Sequence, residues 1–279
     1  ASPRLFADET TAPVLDPGRG RTNTGQLFAY ARDDRPWGGS DPPGVAYVYA
    51  ADRKAERPIA HLNGFTGILQ VDGYGGYRVL ARRNDVQLAF CWSHVRRKFY
   101  ELATPGPAPI ASEALTRIAE LYRIEAEIRG RSPEQRRQVR QERSRPLVEA
   151  LEPWLRDKLQ LISQKTKLAE AIRYALSRWQ GLCLFLDDGR IEIDNNVVER
   201  TIRPLALTRK NALFAGSDSG AEHWAVIASL VETCKLNGVE PFRYLADVIT
   251  RIVEGHPQSR IDELLPWAYR ATVDLKAVA

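Results

Sequence analysis

The chain has 279 residues, 44% of them hydrophobic, which is enough to bury the core of one large domain or two smaller ones. Its 40 basic and 35 acidic side chains give a formal net charge of +5, which by itself neither requires nor excludes a nucleic-acid partner. The sequence has no apolar run of the roughly 18 residues that a transmembrane helix needs, and its first residues lack the apolar segment of a signal peptide.

Two further features of the composition bear on the kind of protein. The chain contains no Met, so we expect it to be part of a longer protein with an upstream segment. Its three cysteines, Cys91, Cys183 and Cys234, form no CxxC pair, which indicates reduced thiols rather than a zinc site or a disulfide framework.

The first hundred residues are predicted to form a sheet, because short apolar segments alternate with turns rich in Gly, Pro and Asp. The predicted strands are Leu5–Leu15, Gln26–Arg32, Val45–Ala50, Ile68–Val71 and Val86–Cys91. The predicted helices between and after them are Pro58–Leu62, Tyr74–Arg83 and Trp92–Leu102. Three meandering strands followed by two that helices connect is the order of a ribonuclease H-like sheet, in which right-handed crossovers set strand four beside strand one.

Most of the remaining chain is predicted to be helical, with a helix start at Ser132-Pro133 and a short helix, VVERTIR, that Pro204 ends. We therefore predict an α/β fold: a ribonuclease H-like mixed five-stranded sheet with flanking helices, a large all-helical insertion and a helical C-terminal extension. The predicted parts are a first core segment over residues 1–104, the insertion over 105–187, a last core segment over 188–220 and the C-terminal element over 221–279.

Carboxylates fall where two of the predicted strands should meet. Asp72 ends strand four in GILQVDGYGGY, and the glycines after it are expected to leave room for a bulky substrate. If strands one and four are parallel neighbours, Asp8 of strand one can face Asp72. Two such acids repel each other unless a cation lies between them, and hard oxygen ligands suit Mg²⁺ or Mn²⁺. Taken alone, Asp72 could instead be a turn acid that caps the next helix.

The third acid of such a site is predicted to be Glu199, in IDNNVVERTIRP. Asn196, Glu199 and Arg203 share one helix face, although Glu199 could instead be a surface residue paired with Arg203. Glu9 is expected to point to the opposite face of strand one because side chains alternate along a strand. Asp33 and Asp34 are interpreted as turn acids.

Clustered basic residues are candidates for contacts with DNA phosphates, with solvated helix faces as the alternative. These candidates are His94, Arg96, Arg97, Lys98, Arg200, Arg203, Arg209 and Lys210. The arginine-rich segment between Arg123 and Arg145 has the same two interpretations.

Seven segments in chain order resemble the insertion-sequence-66 family of bacterial transposases. They are ADETTAPVLDPGRGRT, YARDDRPWGG, GILQVDGYGGY, CWSHVRRKF, IDNNVVERTIRPLALTRKNALFAGSDSGAEHW, ETCKLNGVEPFRYLADV and RIDELLPW. The resemblance runs from about residue 5 to residue 270. One departure is Ala212, which stands after RKN where an aromatic residue is common in the family.

The resemblance implies a DDE transposase, whose two Asp and one Glu map by motif onto Asp8, Asp72 and Glu199. It implies Mg²⁺- or Mn²⁺-dependent cleavage of transposon ends and transfer of the strand to target DNA. It also implies a cytoplasmic, nucleoid-associated protein that acts as a homo-oligomer on DNA. The expected partners are DNA and accessory proteins of the same element, and no membrane partner is expected. Two alternatives stay open: a nuclease of the same fold that cuts without joining, and a remnant that binds DNA without catalysis.

Overall fold

The computed structural model describes residues 3–82 and 85–270, which contain one mixed five-stranded sheet. Its strands are β1 (Arg4–Asp16), β2 (Arg21–Arg32), β3 (Gly44–Ala50), β4 (Gly67–Val71) and β5 (Val86–Phe90). The strand order is β3-β2-β1-β4-β5. Strand β4 runs parallel to both β1 and β5, whereas β2 and β3 are antiparallel. The prediction that strands one and four are parallel neighbours is therefore confirmed.

The helices follow the order that the sequence predicts. They are α1 (Glu56–His61), α2 (Arg78–Ala81), α3 (Trp92–Ala103), α4 (Pro109–Ile128), α5 (Pro133–Val139), α6 (Arg145–Gln160), α7 (Lys167–Leu176), α8 (Trp179–Asp187), α9 (Asn196–Thr208), α10 (Asp218–Leu236) and α11 (Pro241–Val253). A π-helical segment, Arg140–Ser144, joins α5 to α6, and the tail contains a 3-10 helix, Gln258–Leu264. Within the described residues, no helix is both long enough and apolar enough to cross a membrane.

Three local predictions differ from the structure. Strand β2 begins at Arg21, before the predicted start at Gln26. The first residues of this strand are polar and exposed, so no apolar pattern marks them. The segment predicted as one helix from Tyr74 divides into a 3-10 turn and α2, and its predicted end at Arg83 lies outside the described residues. Helix α9 continues through Pro204 to Thr208. Buried Ile202 and Leu205 on either side of the proline hold the helix together by packing.

The chain divides into two compact units. The first comprises the residues up to Asp8, Asp34–Asp41 and Arg53–Arg200, and the second comprises Glu9–Asp33, Pro42–Asp52 and the chain from Thr201 onward. In the first unit, helices α3, α4, α6, α7 and α8 pack around an apolar cluster centred on Trp92. The Trp92 indole donates to the carbonyl of Leu182 at 2.9 Å and meets Trp179 edge-on, so the largest core side chain is also satisfied as a donor.

In the second unit, helix α10 covers the outer edge of β3. The hydroxyl of Thr233 bonds both the N–H and the C=O of Val45, and the N–H of Tyr47 donates to the Ser229 hydroxyl at 2.8 Å. These side chains occupy backbone groups that an edge strand would otherwise offer to another chain. Helix α11 packs on α10 through Cys234, Tyr244 and Val248.

Candidate functional site

The ends of β1 and β4 bring two predicted acids together. Ala7 pairs in register with Val71, so Asp8 and Asp72 follow at the same end of two parallel strands. Their carboxylate oxygens lie within 4.8 Å of each other. The juxtaposition that the strand order predicts is therefore present.

Asp34 is a structural residue, because it forms a buried ion pair with Arg4 at 2.8 Å.

Asp72 is held on both its side chain and its backbone. Its Oδ1 accepts a hydrogen bond from the N–H of Tyr74 at 2.8 Å, and its carbonyl accepts one from the hydroxyl of Tyr174 at 2.7 Å. The glycines after it are only partly open. Gly73 has a φ of 111°, and a Cβ there would lie 2.6 Å from Arg178, whereas a Cβ at Gly75 would meet nothing within 4 Å. There is therefore open space beside Gly75 but not beside Gly73.

The third predicted acid, Glu199, falls in a second group of side chains among the described residues, together with Cys91 and His94. Its Oε1 lies 3.6 Å from His94 Nδ1, and both atoms are buried without a hydrogen-bond partner in the described part of the chain. Burial raises the pKa of the Cys91 thiol, so this side chain is a neutral thiol at pH 7. Glu199 Oε1 is thus a buried oxygen that could still accept a hydrogen bond or bind a cation.

The start of helix α9 is attached to the strands that carry the two aspartates. Asn195 donates through its side chain to the carbonyl of Ala7 at 3.0 Å, next to Asp8. Its backbone N–H donates to Cys91 Sγ at 3.2 Å, directly after β5. Glu199 lies one helical turn beyond Asn195, and its N–H donates to the Asn195 carbonyl at 3.2 Å. The helix that carries Glu199 therefore begins at the strand ends where Asp8 and Asp72 lie.

Gln70 is a positioning residue that the sequence interpretation missed. Its side chain, on buried β4, donates to the carbonyl of Glu192 at 2.9 Å and accepts from the N–H of Glu192 at 3.0 Å. The Gln70 side-chain amide thus bonds the backbone of Glu192, before α9, as a neighbouring strand would. The partners are 122 residues apart, and a lone Gln in an apolar strand was the only signal of this contact.

Replacing Gln70 with leucine should detach this segment. The buried N–H and C=O of Glu192 would lose their partners, at a cost of about 2–4 kcal/mol in free energy of unfolding. Hydrogen exchange at the Glu192 amide should accelerate together with a lower urea midpoint. Gln87→Leu, on an exposed face of β5, is the control and should leave both unchanged. An equally protected Glu192 amide in the Gln70 variant would show that the contact does not position the segment.

Asp194 has an unusual acidity just before α9. Burial, opposed by a hydrogen bond from the N–H of Asn196 and reinforced by the charges of Glu192 and Glu199, raises the pKa of Asp194 to about 6 from its ordinary 3.8. The folded chain therefore holds this proton more tightly than the unfolded chain does. Its contribution to stability is full below pH 3.8 and is lost as the pH rises to about 6.

The raised pKa of Asp194 predicts a pH-dependent difference in stability between the Asp194→Asn variant and the unmodified chain. Across the interval from pH 4 to pH 6, Asp194→Asn should gain on the order of 2–3 kcal/mol in stability relative to the unmodified chain, because asparagine does not ionise. Urea titrations at several pH values measure the difference. Asp157→Asn, at an exposed position, is the control for the removal of one carboxylate. A gap that stays constant with pH would contradict the raised pKa of Asp194.

The predicted DNA-contacting residues fall into two sets. Three are half-buried and in contact with other parts of the chain: His94 with Glu199, Lys98 with Glu170 at 3.7 Å, and Arg209, which donates to the carbonyl of Thr11 at 2.7 Å. The other five are exposed, namely Arg96, Arg97, Arg200, Arg203 and Lys210. The exposed set has its charges in solvent, where phosphates could reach them.

Part of the arginine-rich segment is neither a phosphate contact nor a solvated face. Arg136 and Arg140 are fully buried and share Glu125, to which Arg140 donates at 2.6 and 2.7 Å. Arg136 also donates to Glu192 at 2.6 Å. This buried network joins helices α4 and α5 to the segment before α9, and no spacing in the sequence marks its partners.

Comparison with known proteins places the chain among transposases. A family model described as "Transposase IS66 family" matches residues 1–223, and one described as "IS66 C-terminal element" matches residues 229–267. The chain is similar to three uncharacterized proteins of Sinorhizobium fredii. It is 50% identical to y4qI over 96% of the chain, 47% identical to y4jD over 97%, and 42% identical to y4hP over 99%.

The chain spans about half the length of these curated relatives, between 51% and 54% of each. The two family models together cover nearly all of it, and the resemblance that the sequence motifs carry is confirmed. This protein belongs to the IS66 family of transposases.

Proposed function

We propose that the chain is the catalytic part of a DDE transposase with a ribonuclease H-like core, which cleaves DNA and transfers the cut strand to a target. The observation that supports this most strongly is the pair formed by Asp8 and Asp72, whose carboxylate oxygens approach within 4.8 Å at the ends of two parallel strands. Carboxylates held this close favour a divalent cation, since otherwise they repel each other.

The donor atoms fit such a cation. Carboxylate oxygens are the ligands that Mg²⁺ and Mn²⁺ prefer, and Asp8 and Asp72 supply them. The buried, unpartnered Oε1 of Glu199 is a further candidate ligand on a helix that starts beside Asp8. A bound divalent cation would supply charge neutralisation at a phosphate and a more acidic bound water.

The chain's own residues would do the positioning. The N–H of Tyr74 would hold one oxygen of the Asp72 carboxylate, and the Tyr174 hydroxyl would hold the backbone carbonyl of the same residue, before substrate arrives. No atom lies within 4 Å of the position that a Cβ at Gly75 would take, so the chain next to Asp72 presents no side chain there that would obstruct a substrate. The exposed cations on α3, on α9 and after α9 would bind neighbouring phosphates and make binding strongly salt-dependent.

A joining assay tests this function against its two alternatives. Labelled, pre-cut ends of the element that encodes the chain are incubated with supercoiled plasmid and Mg²⁺ or Mn²⁺, with EDTA as the control. The proposed function predicts label covalently joined to plasmid only when the metal is present. Plasmid nicking without joining would identify a nuclease instead. DNA binding with neither reaction in any metal would identify a non-catalytic remnant.

A further inference from the structure

A small pocket in the second unit has no role in the proposed catalytic site. It has a volume of about 200 Å³ and lies between the loop after α9 and the start of α10. Phe214, Trp224 and Thr208 are among the residues that line it. The Phe214 side chain is 46% exposed, although burial of such a ring normally stabilises a fold. The structure therefore leaves an aromatic surface open to solvent.

The loop that forms the pocket is held in place without any ligand. Ala215 pairs with β1, since its N–H donates to the Pro13 carbonyl at 2.9 Å and its C=O accepts from the N–H of Leu15 at 2.8 Å. Arg209 reaches back to the carbonyl of Thr11 at 2.7 Å. On the other side, the Ser217 hydroxyl caps α10 by accepting from the N–H of Gly220. A ligand would thus meet a wall that is already formed.

Two glycines keep the pocket open. A Cβ at Gly216 would meet no atom within 4 Å, and one at Gly220 would meet only the Ser217 hydroxyl, at 3.4 Å. The volume is nevertheless too small for a docked helix, which is about 10 Å across with its side chains. The pocket suits one flat group rather than a segment of protein.

The charges around the pocket indicate what that flat group belongs to. The segment TRKNALFAG, from Thr208 to Gly216, contains two cations and no acid. Lys210 is exposed and stands two residues after Thr208, which lines the pocket. The nearest acid along the chain, Asp218, already accepts a hydrogen bond from the Tyr49 hydroxyl at 2.5 Å. Aromatic walls beside cations are the combination that binds single-stranded nucleic acid, by stacking on the base and attracting the phosphate.

We propose that this pocket binds one unstacked nucleobase of a DNA strand, stacked on Phe214 or Trp224, with the phosphate of that nucleotide near Lys210. The proposal rests on the proposed function, because it assumes that the chain works on DNA. It adds a contact remote from the carboxylates, one that would hold a strand with locally opened base pairs.

Photocrosslinking tests the pocket directly. Single-stranded oligonucleotides carrying 5-iodo-deoxyuridine at one position are irradiated with the chain in EDTA, and the adducts are located by mass spectrometry. We expect adducts on Phe214 or Trp224. Phe214→Leu, which keeps an apolar side chain but removes the ring, should lower the yield of these adducts at least about fivefold. Gly216→Val, which adds a branched side chain to the pocket lining, should narrow the pocket and lower the yield as well.

A matched control lies on the same loop. Leu213 is 65% exposed and does not line the pocket, so Leu213→Ala should leave the adduct yield unchanged. Circular dichroism and thermal melting confirm that the variants are folded. Adducts only elsewhere on the chain would overturn the proposal. A change in the sedimentation of DNA-free protein on Gly216→Val, without a loss of adducts, would also overturn it and would indicate a protein contact.

The outcomes also separate this inference from the proposed function. Crosslinking needs neither metal nor cleavage. Adducts at Phe214 or Trp224 from a chain that neither cuts nor joins DNA would therefore support the nucleobase pocket and reject the catalytic function. Active joining without adducts at these residues would support the catalytic function and reject the nucleobase pocket. If no oligonucleotide crosslinks anywhere on the chain, the nucleobase pocket is rejected, and the joining assay decides the function separately.

Discussion

Asp72→Asn is expected to lower the rate of metal-dependent DNA cleavage by at least about 1,000-fold. A catalytic metal ion supplies several kcal/mol of transition-state stabilisation, and each 1.36 kcal/mol corresponds to a factor of ten in rate. The neutral amide removes the charge that attracts the cation. It retains an oxygen that can accept from the N–H of Tyr74, so the fold should be preserved. Single-turnover cleavage of labelled DNA and a thermal melt measure the two properties separately.

Asp85→Asn is the matched control. Asp85 is an exposed acid just before β5, and because β4 and β5 are parallel it lies at the opposite end of the strand pair from Asp72. The substitution removes the same charge as Asp72→Asn does. It should leave the cleavage rate within about twofold of that of the unmodified chain, since surface charges contribute little at that distance. Equal losses in both variants would indicate a general effect of charge on DNA binding instead of a role for Asp72 at the catalytic site.

Glu125→Gln is expected to destabilise the first unit by about 3–5 kcal/mol. Arg136 and Arg140 are fully buried, and Glu125, itself only 9% exposed on its side chain, is the carboxylate they share. Removing one partner of a buried ion pair leaves an uncompensated charge in a medium that solvates it poorly. Urea denaturation followed by the fluorescence of the tryptophans in this unit measures the effect.

Glu127→Gln provides the comparison for that experiment. Glu127 pairs with Arg143 on the exposed side of the same helix, where solvent screens the charges, so its urea midpoint should not change. If the Glu125 variant were as stable as the Glu127 variant, the buried arginines would have to be solvated by other groups. The network would then not hold the insertion helices to the segment before α9.

The sequence identifies those parts of the fold that depend on local pattern. Alternation and turn residues predict all five strands, and the right-handed crossover rule predicts that strands one and four are neighbours. The approach of Asp8 to Asp72 follows from that pairing alone. Strand β2 begins before the predicted start at Gln26, and helix α9 continues past the predicted end at Pro204. No local pattern in the sequence marks either extension.

The contacts that attach α9 could not be predicted in this way. Gln70 bonds a residue 122 positions away, and Asn195 bonds one 188 positions away, so neither leaves a periodic signal. The same holds for Arg136, which looks like a solvated residue in an arginine-rich helix yet is buried against Glu125 and Glu192. Local patterns predict that Asp8 and Asp72 lie at neighbouring strand ends, whereas long-range side-chain contacts determine where the helix that carries Glu199 begins.

A crystal structure of the chain soaked in Mn²⁺, with anomalous data collected to locate the metal, tests the proposed metal site directly. We expect an anomalous peak between the carboxylates of Asp8 and Asp72, with Glu199 as a further ligand. A peak found only beside Cys91 and His94, or no peak at Asp8 and Asp72 in either free or DNA-bound crystals, would contradict the central claim that these carboxylates form the catalytic metal site.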